Sequence, residues 1–466
     1  MEVYHYRSIE AALLEISEGA FRFAKQEELN DPIEGYINIY WAGYRAAWEG
    51  LFRNYICSLY RCMDLFFKGT DGDVILNKII EKNIYRYEGK ERGKIYRTLA
   101  ASFVNDASVQ ECITLLMHSV SNKTKGCSGR FLALWLTLVH FTAYNICAQS
   151  FSDIGYINLK PVEEWNDNSF HEIVEAIKAM IPENGELEEA CEQMMEQIEE
   201  YTEAMAVFRY VREQDLQLDD RRRQVWLEIT SNFANHYVAK LQELIYPGGM
   251  VVCFSKEKDN AVMWGNYADK HHGVCLVYEL ALAGETGLVE VVSVKSGHKI
   301  IANASPIAYK EDTIARNFFE TLGRFDPQWL SAWLEGANGE KSAYMNCYAD
   351  MTQWKERYWQ DFHEKFFTKM PAWAYENEYR LLIDDTLFNH DEEQCFKPAA
   401  FTLKGVIFGK ETPVADKVRI LKALKYAGAP IEHITVSHAV YDETQRRICI
   451  RENALVGQIL AFDEHL

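Results

Sequence analysis

Three short segments carry residues whose types and spacing could do chemistry. The first is Trp373-Ala374-Tyr375-Glu376-Asn377-Glu378-Tyr379-Arg380. Two carboxylates at i, i+2 point the same way from a strand, and Arg380 falls on that face if the strand extends. Like charges that close raise one pKa and resist burial unless a cation or a reaction holds them. A ladder pairing Glu378 with Arg380 is the purely structural alternative. The second segment is Tyr4-His5-Tyr6-Arg7-Ser8, where a strand sets His5 and Arg7 on one face and Tyr4 and Tyr6 on the other. The third joins Cys253-Phe254-Ser255 to Trp264-Gly265-Asn266-Tyr267. Trp264 and Tyr267 share a helix face at i, i+3 and could either pack a core or line a pocket for a planar ligand.

The elements that must position these segments fall into two textures. Glu2 to Tyr6 reads as a strand, Ile9 to Glu18 as a helix stopped by Gly19, and Ala20 to Ala24 alternates around Phe21 and Phe23. From about Tyr40 to Leu244 long amphipathic stretches follow one another, among them 42–67, 76–101, 186–206 and 221–244, with hardly any strand signal. Tyr246-Pro247-Gly248-Gly249 is sharp punctuation, and beyond it the pattern becomes mixed. Strands are expected at 250–254, 273–280, 378–383 and 403–408, with 312–367 mostly helical. The fold class expected is α+β: a mixed β-sheet core built from both chain ends, residues 1–38 and 246–466, interrupted by an all-α insertion at 39–245.

Composition narrows the function classes. The chain has 466 residues, 48% hydrophobic and 25% charged, which excludes disorder as its main character. Its 49 basic and 69 acidic residues give a net charge of −20, a field that disfavours non-specific binding to nucleic acid or anionic membrane. Eleven cysteines without a C-x-x-C pair read as reduced thiols, and the N-terminus lacks the apolar core of a signal peptide, so a cytoplasmic location is expected. The apolar run 131–148 carries Thr137, His140, Thr142 and Asn145 and reads as a buried core helix, not a membrane span. His271 and His272 are adjacent and not at i, i+4, and no metal site is expected.

Together the segments resemble the bacterial "domain of unknown function 2971" family. The resemblance rests on Tyr4 to Ser8, Phe21 to Phe23, Leu29-Asn30-Asp31-Pro32, Cys253-Phe254-Ser255, Met263 to Ala268 and His272 to Cys275. It continues through Lys365-Phe366, Lys369, Trp373 to Arg380 and Gly405 to Gly409. It covers residues 1 to about 38 and 246 to about 450. A second resemblance is to mono-ADP-ribosyltransferases. These carry a basic residue on the first strand, a Ser ending an early central strand and Glu-x-Glu entering a later one; Arg7 or His5, Ser255 and Glu376-Asn377-Glu378 follow that order. Phe254-Ser255-Lys256 stands where that family has Ser-Thr-Ser.

That second resemblance implies an ADP-ribosyltransferase-like sheet and an NAD-consuming transferase or NAD glycohydrolase, acting as a toxin or anti-phage defence effector. NAD would be the substrate, and its nicotinamide–ribose bond would break through an oxocarbenium-like cation. Glu378 would stabilise the cation, Glu376 would polarise the acceptor nucleophile, Arg7 would pair the pyrophosphate and Ser255 would complete the catalytic set. His5, Trp264, Tyr267 and Arg380 would contact the nucleotide, the two aromatics by stacking on nicotinamide or adenine. The acceptor is a macromolecule or water, and the helical insertion could engage a protein partner. The alternatives are a non-enzymatic nucleotide- or peptide-binding sensor module, and a nuclease, which would need a metal-binding acid cluster.

Overall fold

A computed structural model of the chain describes every residue except 32–33, 36, 81–89, 119–125, 157–166, 181–190, 213–217, 312–313, 325–326, 337–338, 385–393, 429–432 and 457–466. Parts of the helices expected over 76–101 and 186–206 lie outside the described residues. The strands in chain order are β1 (Glu2–Arg7), β2 (Phe21–Arg22), β3 (Ala24–Lys25), β4 (Asn38–Tyr40), β5 (Gly249–Ser255), β6 (Val274–Leu280), β7 (Gly287–Ser293) and β8 (Lys299–Pro306). They continue with β9 (Ala308–Tyr309), β10 (Ala315–Asn317), β11 (Thr368–Lys369), β12 (Glu378–Asp384), β13 (Cys395–Pro398), β14 (Phe401–Phe408), β15 (Thr435–Asp442) and β16 (Arg447–Glu452).

The fold is α+β, and the chain divides into two compact units. The first comprises Met1–Tyr36, Pro247–Thr313 and Asp361–Leu466, so both chain ends build one body. Its twelve-stranded sheet runs β16-β15-β14-β6-β1-β5-β12-β8-β7-β13-β2, with β3 also on β5. Among the described residues, β14 and β15 are the sheet's one parallel pair.

β1 sits between β6 and β5 with both faces covered, which is why its middle four residues are all buried. Along β6 it pairs from Glu2 to Arg7, but along β5 the pairing stops at Tyr4 opposite Ser255. Further along that edge of β5, Met250 and Val251 are taken by Lys25 and Ala24 of β3. The sheet therefore forks between β1 and β5. β2 and β3, joined by buried Phe23, link β13 to β5 and close a ring through β12, β8 and β7.

Helix Ile9–Glu18 starts on Ser8, whose hydroxyl accepts from the Ala11 amide at 3.3 Å, and ends on Gly19 at φ 59°, a left-handed cap that glycine adopts without penalty. With helix Val414–Tyr426 it covers one sheet face over Phe21, Phe254, Leu276 and Val406. The other face of β1 carries Tyr4 and Tyr6 into a second apolar cluster with Met263, Trp264 and Ile407.

The second unit is mainly helical and comprises Ile37–Tyr246 with Ile314–Gln360. That last segment was expected in the sheet core. It belongs with the helices because β10 pairs in parallel with β4, Phe318 packs on Trp41 at 5.7 Å, and the Trp333 carbonyl approaches Gly50 too closely for a Cβ. The run 131–148 is not one helix. Gly129–Leu138 and His140–Asp153 meet at a 52° bend, and among the described residues no single helix is long and apolar enough to cross a membrane.

Phe254 is 2% exposed and touches His5, Phe21 and Phe401 at ring distances of 4.8, 5.1 and 5.2 Å. Phe254→Ala should cost about 3–5 kcal/mol in urea unfolding of this unit. Tyr426→Ala, at an 84% exposed ring, should change it by less than about 0.5 kcal/mol. Equal effects would refute this placement of the core.

Candidate functional site

Glu376 and Glu378 do not share a strand. Glu376 ends the 3-10 helix Pro371–Glu376, Glu378 opens β12, and Asn377 between them is left-handed at φ 42°. Asparagine tolerates that conformation better than most side chains. The Asn377 carbonyl accepts from the Lys256 amide at 2.9 Å, and its side-chain amide donates to Glu257 Oε1 at 3.0 Å. The turn is thus pinned to the end of β5.

Both carboxylates are buried, each residue 3% exposed, and both converge on Lys369 of β11. Its Nζ lies 2.8 Å from Glu376 Oε2, 2.7 Å from Glu378 Oε2 and 3.3 Å from Glu34 Oε2. Arg380 closes the network from below. It donates from Nε and Nη2 to Glu378 Oε1 at 2.8 and 2.6 Å, from Nη1 to the Phe366 carbonyl at 2.6 Å, and pairs with Glu34 through Nη2. Three carboxylates thus share two cations out of water. The Lys369 ammonium occupies the point on which the three carboxylates converge.

The environments push the two glutamates apart. Burial raises Glu376, and Lys369 and the Tyr267 hydroxyl offset this only in part. Burial would raise Glu378 as well, but the Arg380 and Lys369 charges outweigh it and hold the group at about 2. Opposed shifts in neighbouring carboxylates are the pattern of an acid–base pair. Tyr267 donates to Glu376 Oε1 at 2.5 Å and accepts from Asn30 Nδ2 at 3.1 Å.

This network forms one end of a cleft of about 530 Å³ that occupies the fork between β1 and β5. His5, Arg7, Ser255, Tyr267, Glu376 and Glu378 all line it. The structure separates two sequence candidates from them. Trp264 is fully buried, packs edge-on against Tyr6 at 5.1 Å and donates to the Lys258 carbonyl at 2.9 Å, so it cannot stack on a ligand. Arg380 is 0% exposed and does not line the cleft, so it acts through Glu378. The Ser255 hydroxyl donates to the Glu376 carbonyl at 2.7 Å and accepts from the Glu257 amide at 3.1 Å, which makes it part of the turn's scaffold.

Sequence reasoning missed Glu15, Glu34 and Lys369 as site residues. Glu15 had a signal: an acid in the buried stripe Ile9, Ala12, Ile16 of an otherwise apolar helix face. Glu34 had none, because only the tertiary fold brings it to Arg380. Lys369 stood within the family pattern without a role.

The sequence profile of a family of proteins of unknown function, DUF2971, matches residues 263–381. That stretch holds Tyr267, Lys369, Glu376, Glu378 and Arg380, and it is narrower than the resemblance drawn from the sequence. No curated protein and no solved structure matches the chain.

Lys369→Met should destabilise the protein by about 3–5 kcal/mol at neutral pH, since it strands buried carboxylates. Glu378 sits below its unfolded value of about 4.3, so its share of wild-type stability is complete above that value and lost as pH falls toward 2. Glu376 works in the opposite sense, its ionisation opposing folding as pH rises. Without Lys369, Glu376 loses the cation that offsets its burial and should lie further above its unfolded value, while Arg380 still holds Glu378 down. The variant's melting temperature should therefore climb as pH is lowered from about 7 to about 5, narrowing the gap to wild type. A gap independent of pH would show that Lys369 does not balance these charges.

Proposed function

We propose that the chain cleaves the nicotinamide–ribose bond of NAD or a closely related nucleotide in the forked-sheet cleft, passing the ADP-ribosyl group to an acceptor or to water. The observation that carries this reading is the pair Glu376 and Glu378, buried at one end of a ligand-sized cleft with opposed protonation tendencies. A glycosyl bond that breaks with positive charge on the sugar needs a carboxylate that stays ionised, and Arg380 and Lys369 keep Glu378 so. Glu376 would exchange its bond to Tyr267 for one to a ribose hydroxyl. At the β1 side, Arg7 keeps its guanidinium partly open to the cleft while its Nε is held by Glu15 at 3.0 Å, and it would meet the pyrophosphate. On this reading an unchecked activity drains NAD, which fits a toxin or defence effector.

A second reading is favoured by the ion pairs already made within the network. Glu376 and Glu378 already have protein partners, as a binding module for nucleotides or peptides would require of purely structural charges.

Incubation with NAD and quantification of nicotinamide separates the two. Wild type should release nicotinamide, and Glu376→Gln should slow release by about 10²-fold with its melting temperature nearly kept. Glu378→Gln should lose both activity and stability, because its partners are buried cations. Calorimetric binding of NAD without any release by wild type would favour the binding module.

A further inference from the structure

A second buried polar cluster lies across the cleft from the glutamate pair, on the helix side of β1. Glu15 is 4% exposed and takes three donors: His5 Nδ1 at 3.0 Å and the Tyr278 hydroxyl at 2.8 Å on Oε1, and Arg7 Nε at 3.0 Å on Oε2. Burial would raise the Glu15 carboxyl, but its contacts with His5, Arg7 and Tyr278 hold it below the usual range. An ionised carboxylate has no proton to give, so His5 Nδ1 must be the donor. The ring is thereby fixed as the Nδ1–H tautomer.

The other ring nitrogen is the informative one. His5 lines the cleft and is 4% exposed, and among the described residues its ring bonds through Nδ1 with no partner on Nε2. Phe21 and Phe254 clamp the ring at 5.9 and 4.8 Å. A rigid imidazole backed by a buried carboxylate and presenting a bare nitrogen to a cleft is the arrangement of an oriented base. Burial and the Arg7 charge also lower the pKa of His5, which leaves the ring uncharged at neutral pH.

We infer that His5 is the general base of the cleft and Glu15 its positioning residue: His5 Nε2 takes the proton of the hydroxyl or water that attacks the ribose anomeric carbon. The inference rests on the glycosyl-transfer reading above. As the new O–C bond forms, the C–N bond to nicotinamide breaks and its electron pair returns to the pyridinium nitrogen, so nicotinamide leaves neutral. The proton ends on His5, and the imidazolium so formed is balanced by Glu15. The charged and titratable groups packed on this pair are Arg7 from β1, Tyr278 and Cys275 from β6, and Glu15 itself from the helix.

Nicotinamide release and acceptor labelling are measured against pH for wild type, His5→Gln, Glu15→Gln and Glu376→Gln. ¹⁵N-histidine NMR of the same proteins reports the His5 tautomer. Wild type should show Nδ1–H at His5 and an acid limb below about pH 6.5, where a base with a lowered pKa becomes protonated. His5→Gln should lose about 10²-fold and that limb, which Glu376→Gln should keep. Glu15→Gln should lose about 10-fold or more, with the limb shifted to lower pH and the tautomer no longer fixed. Release by His5→Gln within twofold of wild type would overturn the dyad while leaving the glycosyl-transfer reading intact, and so would an Nε2–H tautomer in active wild type. No release by wild type would remove that reading and the base role with it.

Discussion

Lys369 is the residue on which the rest of the site depends. Three carboxylates point at its Nζ from Glu34, Glu376 and Glu378, which lie far apart in sequence or on different elements. Removed from water, such a group of acids is tolerable only if cations meet them at hydrogen-bonding distance. Lys369 and Arg380 supply that charge, and in doing so they fix β11, the start of β12 and Glu34 against one another. The network leaves one carboxylate more than it has cations. That imbalance falls on Glu376, the glutamate whose net shift is upward and that accepts from Tyr267 beside the cleft.

The cleft itself follows from a conflict over one strand edge. β5 offers its edge to both β1 and β3, and neither takes all of it: β1 holds Ser255 while β3 holds Met250 and Val251. Backbone groups in a sheet demand partners, so a fork persists only where side chains or water can meet the groups it leaves open. The polar residues of β1 and the turn after β5 fill its walls, and the aromatic cluster around Phe254 and Phe21 holds them rigid.

Each polar cluster works through one residue that is open to the cleft and one that is not. Glu376 lines the cleft and buried Arg380 does not; His5 lines the cleft and buried Glu15 holds it. The hidden members set orientation and charge, which is what a pre-organised site needs from residues that never touch the ligand.

By itself the sequence determined the sheet core from both chain ends, the helix Ile9–Glu18 with its glycine stop, and the short segments that line the cleft. These are local matters of period, capping and turn chemistry, and a single chain displays them. It placed His5 and Arg7 on one face of β1 correctly, because alternation along a strand fixes faces. It could not show that Glu376 and Glu378 converge through a left-handed Asn377, since a strand and a helix-end turn give the same two letters a different geometry. Nor could it divide Trp264 from Tyr267, which share a helix turn but face an apolar cluster and a cleft. The pairing of Glu34 with Arg380, the seat of Lys369 among three acids and the grip of Glu15 on His5 were decided only by the tertiary structure. They join elements whose contact depends on strand order, and strand order is set by the whole core and not by any segment within it.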